Sequence, residues 1–215
     1  MCYSNETKGF VILSEYVPDI IEEVRYHTTY NFIGDKIDGY TDPIIICVKE
    51  AALALKKANE EAKKLGYCFK VYDAYRPQAA VDHFVRWASN VSDQRMKKYF
   101  YPNTNKEELF EKGFIAAKSG HTRGSSIDLT LFDLQTGKEV DMGGVFDDFG
   151  DVSHSDYTKT LTEKQIANRK TLKNIMINNG FKGISSEWWH FNLKDEPYPN
   201  TYFTFFVDKN LFKNN

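Results

Sequence analysis

Cysteine is scarce in this 215-residue sequence. The three present, Cys2, Cys47 and Cys68, are odd in number and lack the spacing of a metal or redox motif. Cys47 in "IIICV" and Cys68 in "YCFKVY" read as small buried hydrophobes. No apolar run approaches the roughly 18–20 residues needed to span a bilayer. A net charge of −2 gives no electrostatic reason to expect nucleic acid or an anionic membrane surface as a partner. Internal repeats, low-complexity tracts and Pro/Gly linkers are also missing, so residues 1–215 are expected to form one domain. The opening "MCYSNETKGFVILSEY" has neither a basic n-region nor an adequate apolar h-region. That makes the cytoplasm the expected compartment. The alternative, raised by Cys2, is a periplasmic or lipid-anchored protein whose leader has been removed.

What the sequence does hold is aromatic surface. Thirteen tyrosines and sixteen phenylalanines imply a core, and any pocket, walled by rings. "GFVILSEYVP" reads as a short strand ended by Pro18. "DPIIICVKEAALALKKANEEAKKLG" starts extended and turns helical, with Ala51, Leu55, Ala58 and Ala62 at helical spacing and Gly66 as a stop. "YCFKVYDAYRP" is a strand entering a loop, because Pro77 keeps Arg76 out of helical geometry. "QAAVDHFVRWAS" is helical, and "NTNKEELFEKGFIAAK" reads as a short helix and loop. "SSIDLTLFDL" alternates as a half-buried strand. "DMGGVFDDFGDVSH" is too long to be a mere connection. "TLTEKQIANRKTLKNIMINNG" is a helix with a Thr162/Gln165 capping box and Gly180 as its stop, and "FKGISSEWWHFNL" closes the pattern as a strand. The uneven order predicts an α+β fold with a central, mainly antiparallel sheet flanked by helices.

The chemistry centres on "SGHTRGSSIDLTL". Asp128 interrupts an apolar strand, and a carboxylate there needs a partner or a metal. His121 lies seven residues upstream, and "EWWHF" supplies His190. Two imidazoles and a carboxylate are the donor set of a catalytic zinc with one position left for water, whose pKa falls to roughly 7. Glu187, three residues before His190, is the candidate general base. Residues three apart on a regular strand face opposite sides, so Glu187 must precede the strand or be re-aimed by a bulge. Each pair alone also occurs as ordinary packing, and the metal reading rests on their conjunction.

These segments carry a family resemblance. "SGHTRGSSIDLTL" resembles the Ser-x-His-x-x-Gly-x-x-x-Asp signature of zinc D-alanyl-D-alanine peptidases, "EWWHF" their Glu-x-x-His, and "VYDAYRP" their Asp-x-Tyr-Arg-Pro. "DMGGVFDDFGDVSH" and "RYHTTYNFIGDKIDGY" look like the dipeptidase branch of peptidase family M15, typified by vancomycin-resistance dipeptidases. The likeness runs from about residue 10 to about 205. It implies the hedgehog/DD-peptidase-like fold, one Zn2+ held by His121, Asp128 and His190, Glu187 as base, and Arg76 as oxyanion stabiliser. It further implies Asp147 for the substrate ammonium, with Tyr26 and Ser119 lining the pocket and Gly143 and Gly144 turning Asp147 inward. The family often has a bulkier residue after the first glycine, and Ala where this chain has Ser126.

The expected activity is hydrolysis of the D-alanyl-D-alanine dipeptide, a small-molecule substrate from peptidoglycan metabolism. One rival is a D,D- or L,D-carboxypeptidase acting on stem peptides, and another is a non-catalytic zinc-binding module. The simpler alternative for Arg76 is a surface arginine paired with Asp73, and for Tyr26 a core or rim aromatic. His27, His83 and His154 read as structural. Of Trp188 and Trp189, consecutive on a strand, one faces the core and the other could wall the pocket, with packing alone the simpler reading of each.

Overall fold

The computed structural model describes residues 2–213. Along the chain come strands β1 (Cys2–Ser4) and β2 (Phe10–Ile12), the one-turn helix α1 (Leu13–Tyr16), β3 (Ile21–Glu22) and β4 (Ile46–Val48). Helix α2 (Lys49–Lys64), β5 (Tyr67–Asp73), α3 (Gln78–Ser89), the short α4 (Lys97–Phe100), β6 (Ser126–Asp133) and β7 (Lys138–Glu139) follow. The chain ends with α5 (Glu163–Asn178), β8 (Phe181–Gly183), β9 (His190–Leu193) and β10 (Thr201–Phe203). The result is a mixed α+β fold.

The central sheet runs β3-β5-β6-β9-β8, with β7 added beside β6. Its pairs are antiparallel except the β3–β5 edge. A small parallel pair joins β1 to β10, and β2 pairs with β4. Ala51, Leu55, Ala58 and Ala62 of α2 are fully buried, as their alternating four- and three-residue spacing predicts. Gly66 ends that helix at φ +85, a conformation a Cβ disfavours. On α5 both halves of the Thr162/Gln165 capping box form.

Four stretches depart from the sequence expectation. "GFVILSEYVP" keeps only three strand residues before α1, where Leu13 turns into the core. "NTNKEELFEKGFIAAK" makes a single 3-10 turn, Lys106–Glu108. "FKGISSEWWHFNL" is two strands, β8 and β9, separated by residues 184–189. Strand β6 is also buried on both faces from Ser126 to Leu131, rather than half-buried. Its polar face therefore needs internal partners, and that face builds the site.

Candidate active site and metal centre

The site grows from one row of the sheet. In register, Asp73 of β5 opposes Asp128 of β6, which opposes His190 of β9. Directly paired residues share a face, so three polar side chains are aligned across three strands. A register shift between Val71 and Asp73 brings Asp73 into that row. His121 enters from a 3-10 turn, Gly120–Arg123, immediately before β6. Ser119 Oγ caps the turn by accepting from the His121 backbone N–H (3.2 Å). Gly124 closes it at φ +77, where a Cβ would sit 2.2 Å from the Phe10 ring.

The hydrogen-bond partners assign both imidazole tautomers. His121 Nδ1–H donates to the Ala74 carbonyl (2.7 Å), leaving Nε2 with a lone pair. His190 Nε2–H donates to Asn192 Oδ1 (3.1 Å), leaving Nδ1 with a lone pair. Ser126 Oγ donates to the same Asn192 oxygen (2.5 Å). The two lone-pair nitrogens then face each other at 3.0 Å. Asp128 Oδ2 lies 3.2 Å from His121 Nε2, and Asp128 Oδ1 lies 3.0 Å from His190 Nδ1.

Two lone pairs and a carboxylate converging in a buried space require a positive charge between them. His121, Asp128 and His190 offer ligand atoms all within 4.8 Å of one another. Two nitrogens and one oxygen suit a borderline divalent cation with one coordination position left over. Burial opposes ionisation of Asp128, but the two imidazoles outweigh it and hold the carboxyl below its usual range. Burial likewise opposes charge on His190, yet Asp128 raises its pKa. Both directions mark a cluster that holds positive charge beside Asp128, a role open to a proton on an imidazole or to a metal ion.

Arg76 sits beside this cluster. Its Nε donates to Asp73 Oδ2 (2.9 Å), and Nη2 lies 3.5 Å from both Tyr26 Oη and Asp128 Oδ2. The guanidinium also lies over the rings of Tyr26 and Phe84, at 5.0 and 5.2 Å. The pairing with Asp73 is therefore real, but it is not at the surface: Arg76 keeps 12% side-chain exposure and Asp73 1%. Tyr40 Oη also donates to Asp73 (2.6 Å), so that carboxylate is anchored from both sides.

Glu187 lies in the loop before β9, so strand alternation does not apply to it. Its Oε2 is 3.7 Å from His190 Nδ1. Burial raises its pKa against the pull of the neighbouring imidazole. The loop is fastened by Ser155 Oγ, which donates to the carbonyls of Ile184 (2.5 Å) and Glu187 (3.1 Å). The backbone N–H of Trp188 donates to the Ser153 carbonyl at 2.9 Å.

Asp147 is the single non-glycine residue with positive φ among the described residues, at +64. Holding it there costs about 1–3 kcal/mol. Its own backbone makes the inward turn. Of the two preceding glycines only Gly143 has positive φ, while Gly144 packs against Val152 and Arg169. Tyr26 Oη donates to Asp147 Oδ2 (2.9 Å). Burial pushes the Asp147 carboxyl well above its ordinary range, even with Arg76 pulling it down.

All eight side chains singled out from the sequence open onto one cavity of about 360 Å3. That is within the range of small-molecule sites. His27 instead bonds the Thr41 carbonyl, and His83 accepts from the Asp38 N–H. His154 and both tryptophans lie off this cavity, and Trp188 and Trp189 are both buried. Packing, the simpler reading of both, therefore holds, and neither walls this pocket: Trp189 packs on Phe146, and Trp188 faces a different cavity. Asp73, Asn192 and Ser126 were not predicted as site residues. Their signal lies in cross-strand register, which a local pattern does not carry.

Comparison with known proteins agrees with this geometry. A family model described as D-ala-D-ala dipeptidase, Peptidase_M15, matches residues 6–208. The chain is 44% identical to a D-alanyl-D-alanine dipeptidase of Enterococcus faecalis, over 93% of this chain and 98% of that one. It is 42% identical to the Streptomyces coelicolor protein of the same name, with the same coverage of each. The Escherichia coli namesake is 34% identical over 88% of this chain and 86% of its own.

Proposed function

This chain belongs to the M15 peptidase family, the D-alanyl-D-alanine dipeptidases, and from that membership we propose that it hydrolyses the D-alanyl-D-alanine dipeptide at a zinc centre held by His121, Asp128 and His190. The observation that carries the proposal is the convergence of two imidazole lone pairs on one buried carboxylate. When bound, zinc would supply a Lewis acid and lower the pKa of a water molecule to about 7.

The remaining work falls to the chain's own side chains. Glu187, with its raised pKa, accepts the proton of the attacking water and returns it to the leaving amine. Arg76, fixed by Asp73, presents Nη2 where negative charge develops on the scissile carbonyl oxygen. Asp147 takes the substrate's ammonium, aided by Tyr26. Burial raises the pKa of its carboxyl, so a cation seated beside it is favoured, and the free amine of a dipeptide is that cation. A longer peptide brings no charge to this point, so the buried carboxyl keeps its bond from Tyr26 but gains no counter-charge. Ser119 borders the same space while capping the His121 turn.

We take residues 1–215 as one zinc peptidase domain. Cytoplasmic placement is supported by the buried free thiols of Cys47 and Cys68, which suit a reducing compartment. No helix among the described residues is long and apolar enough to cross a membrane.

The test is alanine release from the D,D-dipeptide and from a stem pentapeptide, with metal analysis of the native protein and of Glu187→Gln. Cleavage of the dipeptide is expected, with about one zinc retained and kcat lowered by roughly 10²–10⁴ in the variant. Cleavage of the pentapeptide alone would overturn the dipeptidase reading. Hydrolysis of neither substrate would point to a binding module.

A further inference from the structure

Behind the loop that carries Glu187 lies a second cavity, of about 420 Å3. Trp188, Phe191, Ile166 and Ile184 give it an apolar wall. Arg169, Lys170 and Lys173 contribute three positive charges, against the single carboxylate of Asp156.

Arg169 is the informative member. It is 6% exposed, and its guanidinium donates to three carbonyls: Met142 (2.7 Å), His154 (3.1 Å) and Val152 (2.8 Å). Those bonds use three of its five N–H donors. No carboxylate lies within ion-pair distance of it among the described residues. Burial lowers its pKa to about 10, as befits a cation without a counter-charge. The guanidinium lies 5.4 Å from the Trp188 ring. A buried cation facing only neutral dipoles is costly unless a negative group joins it, and the adjoining cavity is where such a group can enter.

The cavity is also joined to the catalytic loop. Ile184 borders both this space and the catalytic cavity. Ser155, on the wall of the second cavity, holds the carbonyls of Ile184 and Glu187. A molecule seated there would press on the loop that positions Glu187.

We propose that the second cavity binds a small organic carboxylate with a flat apolar body, and that its occupancy shifts the Glu187 loop and so alters turnover. The carboxylate meets Arg169 with Lys170 and Lys173, and the apolar body lies against Trp188 and Phe191. Binding stands independently of the dipeptidase reading, whereas the effect on turnover rests on it.

The test uses benzoate as the probe and benzamide as its uncharged analogue, titrated by calorimetry into the metal-loaded full chain. Benzoate should bind with a Kd on the order of 1 mM, the range open to so small a ligand. Benzamide, and benzoate with the Lys170→Glu/Lys173→Glu double variant, should each be weaker by about tenfold. Ile166→Trp should narrow the cavity along its apolar wall and weaken binding. Both variants should retain the native kcat/KM for the dipeptide when benzoate is absent. With benzoate present, kcat for the native enzyme should change while KM does not. Equal binding of benzamide, or benzoate binding untouched by both variants, would overturn the site. Purely competitive inhibition would place the probe in the catalytic cavity and overturn it too. Binding with kcat unmoved would overturn the coupling to Glu187. If the native protein cleaves no dipeptide, the functional reading fails, while calorimetry still decides whether the site exists.

Discussion

Replacing Asn192 by leucine removes the acceptor that orients His190 while nearly keeping the volume of the side chain. In the native chain Asn192 Oδ1 receives both His190 Nε2–H and Ser126 Oγ–H. Without it, the imidazole loses the bond that directs its Nδ1 lone pair toward Asp128 and His121. Loss of such an outer partner typically lowers metal affinity by about 10–100-fold, or about 1.4–2.7 kcal/mol. A buried N–H left without an acceptor costs about 1–3 kcal/mol on its own. Because Asn192 is only half-buried, water can replace part of that bond, so the lower end of both ranges applies. Zinc affinity is read by competition with a chromophoric chelator, and apo stability by urea unfolding. Asn192→Asp, which keeps an acceptor, should stay near the native affinity, and Ser126→Ala should fall between the two. A zinc Kd for Asn192→Leu within about twofold of native, with the fold intact, would refute the tautomer argument.

Arg76→Lys keeps the charge but loses the planar fork that reaches Asp73 and the cavity together. Its kcat should fall by about 10²–10³ with zinc content unchanged, and steady-state kinetics with metal analysis checks both. Asp147→Asn should raise KM for the dipeptide by about tenfold or more and blunt discrimination against an N-acetylated dipeptide; selectivity equal to native would remove Asp147 from ammonium recognition. Burial raises the pKa of Glu22 against its bonds from Ser14 and Ile45, and its Oε1 has no partner. A raised folded-state pKa means that ionisation is penalised above that value, and that no penalty remains below the unfolded value of about 4.3. Glu22→Gln should therefore raise the urea midpoint near neutral pH and leave it unchanged near pH 3.5; equal effects at both would contradict the assignment.

The regular helices were legible because periodicity is local. The spacing of Ala51, Leu55, Ala58 and Ala62, and the Thr162/Gln165 box, appear as read. Helix α1 was not legible, since four residues cannot display a period. The break between β8 and β9 was hidden because "ISSEWW" combines β-favouring aromatics with serines that suit either state. At the site, His121, Asp128, His190 and Glu187 stood out by residue type and spacing. Asp73 appeared only as a surface partner for Arg76, because its burial follows from strand order. Asn192 and Ser126 were silent: what joins them to His190 is the pairing of β6 with β9 across 66 residues of chain. The left-handed backbone of Asp147 was equally hidden, because nothing in the residue type requires it.

The alignment of Asp73, Asp128 and His190 in one row of paired strands also bears on how the molecule assembles. His190 lies 62 positions beyond Asp128 and cannot meet it until β6 has docked against β9, whereas His121 stands beside it on the turn that leads into β6. A disordered chain would therefore have little grip on a divalent ion, and only the native sheet would hold one. Through that linkage, an ion present at a thousand times its dissociation constant would add about 4 kcal/mol to native stability. Chelation should accordingly lower the melting temperature by loosening β9 from β6, making the ion a clasp for the sheet as well as a reagent.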